Sequence, residues 1–325
     1  MKAILVFTAL AALANGAFAQ TTGIPRTADG HPDFGGVWGS RFTTTIERLP
    51  GATSLVVSDA EARALGEGAY QRLTTRGAAD DPNVAWSNIH GLLRVDGEWR
   101  TSQLTVPADG KLPLTQRGRD MLGSVASAMA ARPDGPEARS ESERCIAGTG
   151  RAPLNVAPED NMRQIVQTPD HVAIYTESGG DLRILAFAAQ GRLQQQGGWF
   201  GISSLSWERD DLVITTTGQT VGQGGGVRVS VMGALIVRPE ASVVERLRLM
   251  SRDVLLYRYT IEDQAIYAAP WSAEFVMVRS SQPIFEHACH EGNYAMVNML
   301  SSARASERAA ETASLAAAKF GKNKH

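Results

Sequence analysis

From Met162 onward the chain repeats one pattern, a short run of alternating apolar and polar residues followed by a cluster of turn formers. Arg163–Thr168, Val172–Glu177 and Leu182–Phe187 are parted by Pro169-Asp170 and by Ser178-Gly179-Gly180-Asp181. Gly198–Glu208 and Asp211–Thr217 flank Arg209-Asp210 as the arms of a hairpin, and Val227–Val237, Val243–Met250, Val254–Glu262, Ala273–Arg279 and Ile284–Ala288 follow. A period of two sets one face of each run into a core, and the turn clusters send the chain back on itself. About ten strands with little helix between them must pair antiparallel, and a sheet of that size has to close or stack to hide its edges. The expectation is a mainly β protein built on an antiparallel, calycin-like β-barrel with a helix from Asn293 to about Lys319; a β-sandwich is the alternative.

The preceding part, residues 20–161, lacks that alternation. It reads as irregular wrapping with two short helices, too poor in pattern to form a sheet alone and continuous with the barrel of residues 162–325 as one unit. Ser58-Asp59-Ala60-Glu61 is a capping box that starts a helix reaching about Leu73. Thr115 caps a second, Gln116 to Ala130, which Arg132-Pro133-Asp134-Gly135-Pro136 ends. Asp29-Gly30 and two prolines make residues 21–40 a turn-rich arm with a short extended piece at Gly36-Val37-Trp38. His31 and Asp33 in that arm have no further ligand-type residues beside them and are expected to face solvent.

The first nineteen residues carry Lys2, an apolar run from Ala3 to Leu13, and Ala17-Phe18-Ala19 before Gln20, the form of a secretory signal cut after Ala19. That run is too short to span a bilayer, which takes roughly 20 apolar residues, and no later stretch approaches this, so no membrane span is expected. The sequence therefore predicts a periplasmic or secreted protein. With Lys+Arg at 32 and Asp+Glu at 34, nothing favours nucleic acid as a partner. Two cysteines, Cys145 and Cys289, in an oxidising compartment predict one disulfide. In the chain-entropy model a bridge over so long a loop contributes about 4–5 kcal/mol.

The densest chemistry lies in Ile284-Phe285-Glu286-His287-Ala288-Cys289-His290-Glu291-Gly292-Asn293-Tyr294. If this stretch is a strand, His287 and His290 point to opposite faces, which argues against a shared metal. A proton shuttle needs less: His290 held by Glu291 or Glu286, with a tyrosine as hydrogen-bond donor. The same residues serve equally as a cap at a strand-to-helix junction. No Gly-x-Ser-x-Gly elbow is present, and the Gly222–Gly226 run lacks the Lys-Ser/Thr and the βαβ setting of a phosphate or dinucleotide loop, so no cofactor is expected. Tyr257, Trp271, Trp207, Tyr294 and His287 are candidates to line an apolar cavity at a barrel mouth.

Several phrases resemble a large group of exported bacterial proteins. They are Pro25-Arg26-Thr27-Ala28-Asp29-Gly30 with Pro32-Asp33-Phe34-Gly35-Gly36-Val37-Trp38, Pro107 to Thr115, Arg144-Cys145, Arg163 to Gln167, and Trp207-Glu208 with Asp211-Leu212-Val213. Val244-Glu245-Arg246, Tyr257 through Asp263, Pro270-Trp271 and Glu286 to Tyr294 continue the likeness over nearly the whole mature chain. The resemblance implies export, one continuous unit and a shared role for Cys145 and Cys289, and it brings no reaction. The chain departs from the group at Gly201-Ile202-Ser203-Ser204-Leu205-Ser206, where the group carries a Gly-Asp-Ser type of polar run. Two functions remain open: a barrel that binds a small apolar or aromatic molecule, or a cofactor-independent lyase, isomerase or hydrolase acting on one through His290 and its carboxylates. A structural envelope protein is a third reading, and it requires an exposed apolar surface.

Overall fold

The computed structural model describes residues 23–76, 91–130, 133–156, 162–187, 198–222, 225–230 and 232–322. In chain order its elements are β1 (Gly36–Gly39), β2 (Val56–Val57), α1 (Asp59–Arg76), β3 (Leu93–Val95), β4 (Glu98–Arg100), β5 (Leu104–Val106) and α2 (Gln116–Ala130). There follow β6 (Arg163–Gln167), β7 (His171–Thr176), β8 (Asp181–Ala186), β9 (Ile202–Glu208), β10 (Asp211–Thr217), β11 (Val227–Ser230) and β12 (Gly233–Ile236). The last are β13 (Ser242–Ser251), β14 (Val254–Glu262), β15 (Trp271–Arg279) and α3 (Tyr294–Lys322).

Nine strands form one antiparallel row, β8-β7-β6-β1-β15-β14-β13-β10-β9. Its two ends meet at a bridge between Phe187 and Leu205, which nearly closes the row into a barrel. Alternation decides which side chains enter: Leu212, Ile214 and Thr216 on β10 oppose Leu247, Glu245 and Val243 on β13, and all six are buried. Trp38, Tyr257, Trp271 and Phe275 sit fully buried in the resulting core.

The N-terminal part contributes more to this barrel than its pattern suggests. β1 lies between β6 and β15, with Trp38 opposite Arg163 on one side and Arg279 on the other, and β5 pairs the start of β15. A separate sheet, β2-β4-β3, forms beneath α1. It corrects the expectation of a sheetless N-terminal part, and its cause is local: Asp96 and Gly97 take φ of 51° and 81°, the Asp-Gly hairpin turn whose twist suits two short strands. The helix starts follow the sequence, with the Glu61 carboxylate accepting from the Ser58 N–H at 3.0 Å and the Gly118 N–H donating to Thr115 Oγ1 at 3.2 Å.

Two expectations change. Val227–Val237 is not one barrel strand: β11 and β12 make a separate two-stranded hairpin. Residues 283–288 are irregular instead of a final strand. Among its described side chains, α3 buries Ala303 while Tyr294 stays 73 % exposed and Val297 63 % exposed. Much of this helix is Ala and Ser, which offer little apolar surface to pack on a barrel. Its attachments are polar instead, with Arg304 donating to the carbonyls of Pro133 and Asp134. The first nineteen residues, expected to be a secretory signal, lie outside the described residues, and within the described ones no helix is long and apolar enough to cross a membrane.

Candidate functional site

A charged network lies inside the barrel. Arg183 on β8 donates to both oxygens of Glu245 on β13, at 2.9 and 2.6 Å, and the Tyr257 hydroxyl donates to the same carboxylate at 2.7 Å. Burial, reinforced by the Glu245 charge, pushes the Tyr257 phenol well above its ordinary value, so it remains a donor. Desolvation opposes the Arg183 charge, but Glu245 outweighs it and the guanidinium is raised. A bidentate pair with a third hydrogen bond is the arrangement that makes such burial tolerable.

The network also receives a strap of the chain itself, residues 147–156. Gly148 and Gly150 donate their N–H groups to the Asp181 carboxylate, and Leu154 donates to the Tyr257 hydroxyl at 2.7 Å. Gln219 and Arg228 both donate to the carbonyl of Ala152, at 2.8 and 2.9 Å, and Arg163 donates to that of Asn155. Ala152, Leu154 and Val156 join the barrel core. Among the described residues the interior is thus lined by buried side chains and entered by this strap, several of whose backbone groups are paired as an enclosed peptide requires.

At another part of the barrel the N-terminal arm covers the seam between β8 and β9. The His31 ring stacks on Trp207 with centroids 4.2 Å apart and planes 1° from parallel, and Phe34 and Phe187 pack on the same indole. Arg26 pairs with Asp210, and Gln167 links to the arm by accepting from the Phe34 N–H and donating to the Pro32 carbonyl. His31 is therefore a half-buried packing group, where solvent exposure was expected. A histidine three residues ahead of a phenylalanine carries no local mark of a distant tryptophan.

Outside the barrel lies a cleft of about 430 Å³. One side is α2, through Ser124, Val125 and Ala128; the floor is β11, through Val227 and Val229; the third side is a wall of residues 137–143. The wall is held in shape by its own sequence. Ser140 and Glu143 form a reciprocal capping box, with the Ser140 N–H donating to Glu143 at 3.0 Å and the Glu143 N–H to Ser140 Oγ at 3.3 Å. Burial works against the Glu143 charge, yet bonds from Arg139 and Ser140 prevail and hold its carboxyl below the ordinary glutamate value. Glu141 fastens the inner end, accepting from the Gly222 N–H at 2.8 Å and pairing with Arg151.

The residues expected to form a site fall in separate places. Tyr257 and Trp271 are fully buried in the barrel, and Trp207 is in the arm's aromatic stack. His290, Glu291, Glu286 and Tyr294 are exposed and His287 is half-buried, all on the segment outside the barrel. His290 and Glu291 belong to a helical turn, Cys289–Gly292, in which the Asn293 N–H donates to the His290 carbonyl at 3.3 Å. Cys145 and Cys289 are joined in a disulfide. Among the described residues no group of three or more His, Cys, Asp and Glu is placed to hold a metal.

Sequence reading missed the cleft wall and the Arg183–Glu245 pair. A signal for the second was present: Glu245 stands between Val243 and Leu247 at an inward position, where a charge demands a buried partner. The capping box of Ser140 and Glu143 was the corresponding mark of an ordered wall. Comparison of the chain with protein-family models, curated proteins and solved structures finds no match.

Proposed function

We propose that the mature chain is an exported protein that binds a small apolar or aromatic molecule in the cleft between α2, the 137–143 wall and β11. The observation that carries the reading is the cleft itself: about 430 Å³ over a floor of Val227 and Val229, with Val125 and Ala128 on one side and a polar wall that includes Glu137, Arg139, Glu141 and Glu143 on the other. Binding sites for small molecules combine such an apolar base with a few polar groups, in volumes of about 300–1,000 Å³. The barrel interior is less suited, because Tyr257, Trp271 and Phe275 have no exposed surface and Ala152, Leu154 and Val156 of the strap are buried in the same core. Acid–base chemistry at His290 has less support, since the ring and its neighbouring carboxylates stand in solvent instead of an enclosed site. Export rests on the leader-like first nineteen residues, on the disulfide and on the resemblance to exported bacterial proteins.

The test uses a neutral apolar fluorophore, N-phenyl-1-naphthylamine, titrated into the mature protein. Val229 is half-exposed on the small hairpin, so Val229→Arg is expected to leave the fold intact while laying a charged side chain across the cleft floor. The expected result is saturable binding to the native chain and about tenfold or more weaker binding to the variant, a change of about 1.4 kcal/mol. Equal affinity for both proteins refutes the cleft as the site.

A further inference from the structure

Cys145 lies two residues beyond the cleft wall, and Cys289 to Asn293, part of the stretch with the densest chemistry in the sequence, docks there. Three attachments meet at this point. The disulfide joins Cys145 to Cys289 across a separation of 144 residues. The Asn293 side-chain amide donates to the Glu143 carbonyl at 2.8 Å and approaches Cys145 Sγ at 3.4 Å. Asn293 Oδ1 meanwhile accepts from the Met296 N–H at 3.2 Å, capping α3. Asn293 thus ties the start of a helix to the far end of the cleft wall, while Glu141 ties the near end to Gly222 and Arg151. The motif that suggested acid–base chemistry in the sequence meets the cleft wall through Cys289 and Asn293.

We infer that the Cys145–Cys289 bridge and Asn293 form a clasp that positions the cleft wall, so that affinity for the cleft ligand depends on the redox state of the bridge. The inference rests on the cleft reading above. Without the clasp the wall loses its covalent link and the Asn293 bond beyond Glu143 while keeping its Glu141 anchors and its internal capping box, and a site with a loosened side loses affinity because ordering it costs free energy on binding. The redox step is a thiol–disulfide exchange with a dithiol reductant. One thiolate of the reductant attacks a bridge sulfur, its second thiolate releases the mixed disulfide, and two electrons and two protons end on Cys145 and Cys289 as the reductant becomes a disulfide. Asn293 is a positioning residue in this scheme, acting through the Glu143 carbonyl.

The experiment titrates N-phenyl-1-naphthylamine into the full mature chain, oxidised and after reduction by dithiothreitol, and into oxidised Asn293→Ala, with near-ultraviolet circular dichroism as the check on folding. The expected result is a Kd about tenfold higher after reduction and about threefold or more higher in Asn293→Ala, whose bridge and barrel are intact. Reoxidation of the reduced protein restores the original Kd. An unchanged Kd in both reduced protein and Asn293→Ala, alongside loss of binding in Val229→Arg, overturns the clasp and leaves the cleft standing. A probe insensitive to Val229→Arg overturns the cleft and the clasp's part in binding with it. If reduction unfolds the chain, Asn293→Ala decides alone: native affinity in that variant overturns the proposal.

Discussion

Glu245→Ala is expected to destabilise the barrel by about 3–5 kcal/mol, because it strands a buried guanidinium. Arg183 gives two hydrogen bonds to that carboxylate and Tyr257 a third, and neither Arg183 nor Glu245 has access to water that would replace them. A paired variant separates charge from packing. Arg183→Met together with Glu245→Leu removes both charges at roughly constant volume and is expected to recover much of the loss, since an apolar pair avoids the desolvation that an ion pair must offset. Urea unfolding followed by tryptophan fluorescence measures both. A loss below about 1 kcal/mol in Glu245→Ala would show that the carboxylate is hydrated and the interior open.

Trp38→Ala tests how the N-terminal part belongs to the barrel and is expected to cost about 3–5 kcal/mol. The indole is fully buried, donates its N–H to the Phe34 carbonyl at 2.9 Å, and carries the Arg279 guanidinium 4.3 Å from its ring centre. Its strand supplies the pairing between β6 and β15, so the cavity opens at a joint between the two halves of the row. The expected signature is a lower urea midpoint for the whole unfolding transition. Loss of the arm alone, with the global transition unmoved, would mean that residues 36–39 only decorate a barrel closed without them.

Trp38 also shows why the division of the chain at residue 162 was legible only in part. The alternation of β6 to β10 and β13 to β15 is a local property, because each run has one face in the core and neighbouring turns reverse it. From it came the barrel, while the helix starts were read from the caps at Ser58 and Thr115 and the disulfide from two cysteines behind an export signal. A strand such as β1, four residues long and containing two glycines, has too few positions to show a period. Its place between β6 and β15 is set by partners more than a hundred residues away.

The site was less legible for a related reason. The stretch Glu286 to Tyr294 was singled out for its side chains, but its described hydrogen bonds with the wall run from Asn293, and its covalent link from Cys289. The residues that line the cleft, Val125, Ala128, Ser140, Val227 and Val229, are ordinary ones brought together from a helix, a turn and a hairpin. No single segment carries their convergence. Tyr257 and Trp271 were sound candidates for an apolar interior, and their full burial makes them barrel core, with the strap residue Leu154 bonded to the Tyr257 hydroxyl.

The central claim, that the barrel is filled by its own chain and the ligand sits outside it, is tested most directly by methyl NMR of the mature protein labelled at alanine, valine and leucine. On titration with N-phenyl-1-naphthylamine, the account predicts shift changes at Val125, Ala128, Val227 and Val229, with Ala152, Leu154 and Leu212 unmoved. Changes centred on Ala152, Leu154 and Leu212, with the cleft methyls silent, would place the ligand in the barrel and contradict it.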